Sequence, residues 1–146
     1  MRRLWQFTAQ SICAGAGAAA ILLAGCAGMS SEQEVKVTLS GSQEVPPLSV
    51  TGSGSGTIMV NADKSVSGSV TTTGVAGVAA HIHQGARGQN GPVIVPMTKT
   101  SDNVWSVPPG AKLTDAQYEA FRAGNLYVNV HTPANKGGEV RGQLQP

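Results

Sequence analysis

The stretch Leu126-Tyr127-Val128-Asn129-Val130-His131-Thr132 alternates in character at every step. In an extended chain successive side chains point to opposite faces, so Leu126, Val128 and Val130 form one apolar face. Tyr127, Asn129 and His131 form the other. The same period recurs in Ala80-His81-Ile82-His83-Gln84-Gly85, where His81 and His83 share a face and Ile82 points away. These two segments hold all three histidines of the chain.

Outward from these segments the period of two persists. Val35, Val37 and Leu39 alternate with charged or polar partners. Thr57 to Val60 is followed by the turn Asn61-Ala62-Asp63-Lys64 and then by Val66 to Thr73, which predicts a hairpin. The Ser/Gly run Thr51 to Thr57 fits a small-residue strand or bulge as well as a linker. Gly74 to His83 leads into the histidine strand. Pro92 to Thr98 reads as a strand that Pro96 confines to an edge or a bulge. Asn103 to Val107 gives a short strand around Trp105, and Glu139 to Leu144 gives the last. Leu113 to Gly124 departs from the pattern as a short helix. Thr114 is placed as its N-cap, with Gln117 completing a capping box, Leu113 and Tyr118 forming a staple, and Gly124 ending it. Tyr118 and Phe121 face the core of the domain. Short strands with frequent turns and one helix predict an all-β fold, an antiparallel Greek-key-like β-sandwich with one short helix.

The amino terminus is read as an address. Arg2 and Arg3 precede an apolar Ala/Gly/Ile/Leu stretch from Ile12 to Ala24, so residues 1–25 form a signal peptide. That stretch is too short and too rich in glycine for a membrane span. Leu23-Ala24-Gly25-Cys26 resembles the lipobox of bacterial lipoproteins, which implies cleavage before Cys26 and lipid on its thiol. The acyl chains would hold the protein at a membrane without crossing it. Ala27 follows the cysteine in place of the aspartate associated with inner-membrane retention, which favours the outer membrane of the cell envelope. Residues 26–33 then form a tether and residues 34–146 the folded domain.

Of the ten Lys/Arg, two lie in the signal, leaving eight against eight Asp/Glu. The mature chain therefore has no basic block, which excludes nucleic acid as a charge-driven partner. Cys13 departs with the signal and Cys26 carries lipid, so the domain has no thiol for disulfides, catalysis or thiolate metal sites.

Several motifs in fixed order carry a resemblance. They are Glu44-Val45-Pro46-Pro47, the Ala80–Gly85 segment with Asn90-Gly91-Pro92 after it, Leu113-Thr114 with Gln117, Ala123 to Thr132, and Gly137 to Leu144. Together they resemble the CHRD domain, named for chordin, an extracellular antagonist of growth factors, over Val35 to Leu144. Lys136 stands where that pattern has proline before the Gly-Gly pair. The resemblance implies an extracytoplasmic β-domain but no particular reaction, and growth-factor binding does not carry over to a bacterial lipoprotein.

His81, His83 and His131 are the candidate metal ligands. Imidazole suits copper and zinc, and His81 and His83 at i and i+2 can chelate one ion if His131 comes level on a neighbouring strand. Copper is favoured over zinc by affinity order. Glu44 and Glu139 are the carboxylates to test as a fourth ligand, with Met59 or Met97 for Cu(I). A plainer reading has a histidine donate one ring proton to a backbone carbonyl, fixing a Gly-rich turn such as Gln84 to Gly91, and pairs Arg141 with a carboxylate such as Glu44. In that reading Glu139 and Arg141 lie on an outward strand face.

The chain is read as a lipid-anchored, cell-envelope binding protein, with copper in a three-histidine site. One alternative is a small copper oxidoreductase, since a His-x-His strand in a sandwich is similar to copper–zinc superoxide dismutase. That site, however, uses more histidines and a disulfide. A purely structural or adhesive envelope domain is the other alternative.

Overall fold

The computed structural model describes residues 32–146. The segment read as a signal peptide, Cys26, and all but the last two residues of the segment read as a tether lie outside the described residues. Eight strands and two short helices follow in chain order: β1 (Gln33–Ser40), a 3-10 turn (Gly41–Gln43), β2 (Ser53–Val60), β3 (Val66–Thr73), β4 (Ala79–Gln84), β5 (Val93–Ser101), β6 (Val104–Ser106), α1 (Asp115–Arg122), β7 (Leu126–His131) and β8 (Val140–Leu144). All pairings are antiparallel, and the spatial order is β1-β2-β3-β6-β5-β4-β7-β8. Within it the run β7-β4-β5-β6 has the Greek-key order, β7 returning after α1 to pair with β4.

The expected sandwich is corrected to a closed barrel. A sandwich leaves strand edges unpaired. Here β6 bridges β3 to β5, and β8 returns to β1 through the Ser40–Arg141 pair. Closure depends on a residue without a side chain: a Cβ on Gly142 would lie 2.5 Å from Val37 Cγ2 and 2.6 Å from the Thr38 carbonyl. The closed sheet satisfies backbone groups that open edges would expose to other chains.

Closure also sorts the alternating side chains into an inside and an outside. Val35, Val37 and Leu39, Ile58 and Val60, Ile82, Val95 and Met97, and Leu126, Val128 and Val130 fill the interior. Each such side chain, fully buried, contributes about 1.5–3 kcal/mol relative to exposure. Pro96 does not mark an edge, because β5 lies between β4 and β6. Nor does it mark a bulge: Pro96 pairs in register with His81, and the register shift of this strand pair falls between Ile82 and His83, where Ile94 is the extra residue. The β2–β3 hairpin forms as expected, and its strands include the Ser/Gly run from Ser53 onward.

The helix α1 has the predicted ends. The Thr114 hydroxyl accepts from the Gln117 backbone N–H, and the Gln117 side chain accepts from the Thr114 N–H. At the other end Gly124 (φ +72°) and Asn125 donate to the Phe121 and Ala120 carbonyls, the paired bonds of a Schellman stop. Phe121 is fully buried as part of the hydrophobic core.

Candidate metal centre

Pairing of β4 with β7 sets Ala79 opposite His131, His81 opposite Asn129, and His83 opposite Tyr127. His131 is therefore a diagonal neighbour of His81 on the outer face, while Ile82, Val128 and Val130 point inward. The three imidazoles converge. Ring centroids lie 4.9 Å apart for His81–His131, 5.6 Å for His81–His83 and 5.7 Å for His83–His131. One ring nitrogen from each lies within 4.8 Å of those of the other two.

Two of the rings are fixed by backbone carbonyls. His83 Nδ1 is 2.9 Å from the Gly91 oxygen, and His131 Nδ1 is 3.0 Å from the Lys136 oxygen. A carbonyl can only accept, so both Nδ1 atoms carry the proton and both Nε2 atoms keep a lone pair. This is the outer-shell arrangement that orients metal-bound histidines. His83 Nε2 is buried and has no hydrogen-bond partner. His81 Nδ1 lies 3.0 Å from His131 Nε2, so without an ion His81 donates into that lone pair. A cation between the rings would take the place of this shared proton.

Electrostatics favour neutral rings. All three histidines titrate below their ordinary value, foremost because burial penalises the charged form. His81 is lowered further by His131 and His83, and His83 by His131 and Arg141. Backbone acceptors oppose the shift at His83 and His131 without overturning it. Unprotonated imidazole is the form a metal needs.

The CHRD domain family matches the chain over residues 35–144, nearly all of the described barrel. The chain belongs to the CHRD domain family. No curated protein and no solved structure matches it.

In this CHRD domain the carboxylates considered as fourth ligands serve elsewhere. Glu44, 4 % exposed, accepts from Asn129 Nδ2 at 3.4 Å. Burial raises its pKa to about 7, against the lowering effects of Arg141 and the Asn129 bond. Glu139 Oε2 accepts from the Thr132 hydroxyl at 2.6 Å and from Asn135 Nδ2 at 3.2 Å, knitting the loop before β8. Met97 is in the barrel interior, on the opposite face of the sheet from the histidines. Met59 is on β2, separated from β7 by β1 and β8.

Arg141 is not on a solvated face, as charged alternation suggested, but 1 % exposed. Nor does it form the expected ion pair with Glu44. Its guanidinium donates to the Ala86 carbonyl at 3.0 Å, to Gln143 Oε1 at 3.1 Å and to Asn90 Oδ1 at 3.4 Å. Its plane centre also sits 3.5 Å from the Tyr127 ring centroid. Tyr127 in turn stacks on His83, with centroids 4.9 Å apart and planes 9° from parallel. The Tyr127 hydroxyl accepts from the Gly91 N–H at 3.1 Å, and Gly91 supplies the carbonyl that holds His83. Arg141, Tyr127 and Gly91 thus support His83 from behind. The sequence carried one signal for this layer, a tyrosine on the same strand face as His131.

Proposed function

We propose that this CHRD domain is a lipid-anchored binding module of the cell envelope that holds a copper ion through His81, His83 and His131. One observation carries the copper site: three converging imidazoles, two locked by backbone carbonyls with Nε2 left as the donor, and one of those Nε2 atoms buried without a partner. A buried polar atom without a partner costs about 1–3 kcal/mol, and a bound ion would remove that penalty at His83. Three nitrogen donors without thiolate suit copper or zinc, and affinity order favours copper.

The anchor is proposed on the lipobox resemblance at Leu23-Ala24-Gly25-Cys26, with the outer membrane favoured by Ala27. Membrane attachment then comes from lipid on Cys26. Cys26→Ala is expected to move the protein from the membrane fraction to the soluble fraction. Unchanged membrane partition of that variant would remove the anchor from the reading.

The metal test is titration with Cu(II), Cu(I) and Zn(II), repeated on His83→Ala. Binding tighter than roughly micromolar, about −8 kcal/mol, is expected for copper and is expected to be lost in the variant. Superoxide dismutation by the copper-loaded protein beyond that of an equal amount of chelated copper would move the reading to a copper oxidoreductase.

A further inference from the structure

The histidine cluster opens into a cleft of about 470 Å³, and its other walls are Val78, Ala79, Val93, Thr132, Pro133 and Lys136. Two facts about these walls stand apart from the histidines. Val78 and Val93, 62 % and 48 % exposed, are the exposed large hydrophobic residues among the described residues, and both line this cleft. Among the described residues no carboxylate lines it: Glu44 and Glu139 are taken up by Asn129 and by Thr132 with Asn135.

Charge and coordination follow from this. Three neutral imidazoles leave the full charge of a bound Cu(II) uncompensated, and Lys136 on the rim adds positive charge. Copper with three ligands from one wall of an open cleft keeps a coordination position for an outside molecule, the arrangement of open metal sites. The electrostatic demand at that position is for an anion, and the walls beyond it are apolar.

We propose, resting on the copper reading above, that the loaded site takes an exogenous monocarboxylate with an apolar body. Its carboxylate oxygen occupies the open copper position and its body lies against Val78, Val93 and Pro133. Binding exchanges one metal-bound water for one carboxylate oxygen, leaves the copper oxidation state unchanged, and lowers the net charge of the site by one. Exposed valines rimming a cationic centre favour such a ligand over a small hydrated anion, because burial of its body adds hydrophobic free energy to the Coulomb attraction.

The test uses the full chain in detergent, loaded with one equivalent of Cu(II), and follows the copper visible and electron paramagnetic resonance spectra. Benzoate and acetate are the probes. Benzoate is expected to shift the spectra saturably, with a Kd about tenfold lower than that of acetate. In Val93→Ser that preference should fall to about threefold or less, with Cu(II) affinity unchanged. The proposal is overturned if neither anion alters the copper spectrum, if the two bind equally, or if Val93→Ser leaves the preference intact. Failure of the copper reading looks different: no ion is retained before any anion is added, and both proposals fall together. Copper that stays bound and refuses both anions overturns only this one.

Discussion

At His83 the backbone takes the part of a second side chain. The Gly91 carbonyl holds Nδ1 and the Tyr127 hydroxyl holds the Gly91 N–H, so one peptide unit is gripped from both sides. Glycine is required there, since a Cβ at position 91 would lie 1.7 Å from the Gln84 oxygen. Gly91→Ala is expected to displace the loop and lower copper affinity by about 10–100-fold, the range for lost outer-shell partners, read by equilibrium titration. Tyr127→Phe removes only the hydroxyl acceptor and should cost about 1 kcal/mol in chemical denaturation. The three clustered histidines themselves were legible in the sequence, because period-two alternation assigns faces. The Gly-rich turn Gln84 to Gly91 was legible as a carbonyl partner for a histidine, and His83 bonds its last residue. Tyr127 and the Lys136 carbonyl were not legible: a single backbone acceptor in a longer loop leaves no trace in residue type, and a tyrosine on a strand reads as packing.

Among the elements, α1 shows how far local signals reach. Thr114 and Gln117 form both bonds of the capping box, and Gly124 stops the helix where its spacing predicts. These contacts lie within a few residues of one another, so sequence determines them. Thr114→Ala should cost about 1 kcal/mol of stability by thermal melting, with copper affinity unaltered because α1 contributes nothing to the cleft. The strand β8 shows the converse. Its alternation gave Arg141 the right face but the wrong environment. That outer face is covered by the loop carrying Ala86 and Asn90 and by the segment carrying Glu44, and coverage of this kind depends on contacts 40 to 100 positions apart.

For the whole molecule, barrel closure is the feature that alternation alone did not give. The same strands with the same inward faces could pair as two sheets, and the choice lies in the contact of β8 with β1 across Gly142. Glu44 is buried on the outer face of the barrel, beside Asn129, and this burial sets a pH dependence. A carboxyl raised in the folded state to about 7 from an ordinary 4.5 contributes stability that is fully present below the ordinary value. That contribution is lost as pH rises through about 7. Glu44→Gln should therefore gain stability relative to the parent protein between pH 6 and pH 8 (roughly the span around that value), measured by urea denaturation across the range. A constant difference would show that Glu44 is ionised throughout. The proposed copper site requires His131 to meet His81 and His83 around one ion. Titration of Cu(II) into the parent protein and into His131→Ala tests this most directly. The expected result is one copper per chain, bound tighter than roughly micromolar and weakened at least about a hundredfold in the variant. Equal affinity in the two proteins, or no binding in the parent, would contradict it.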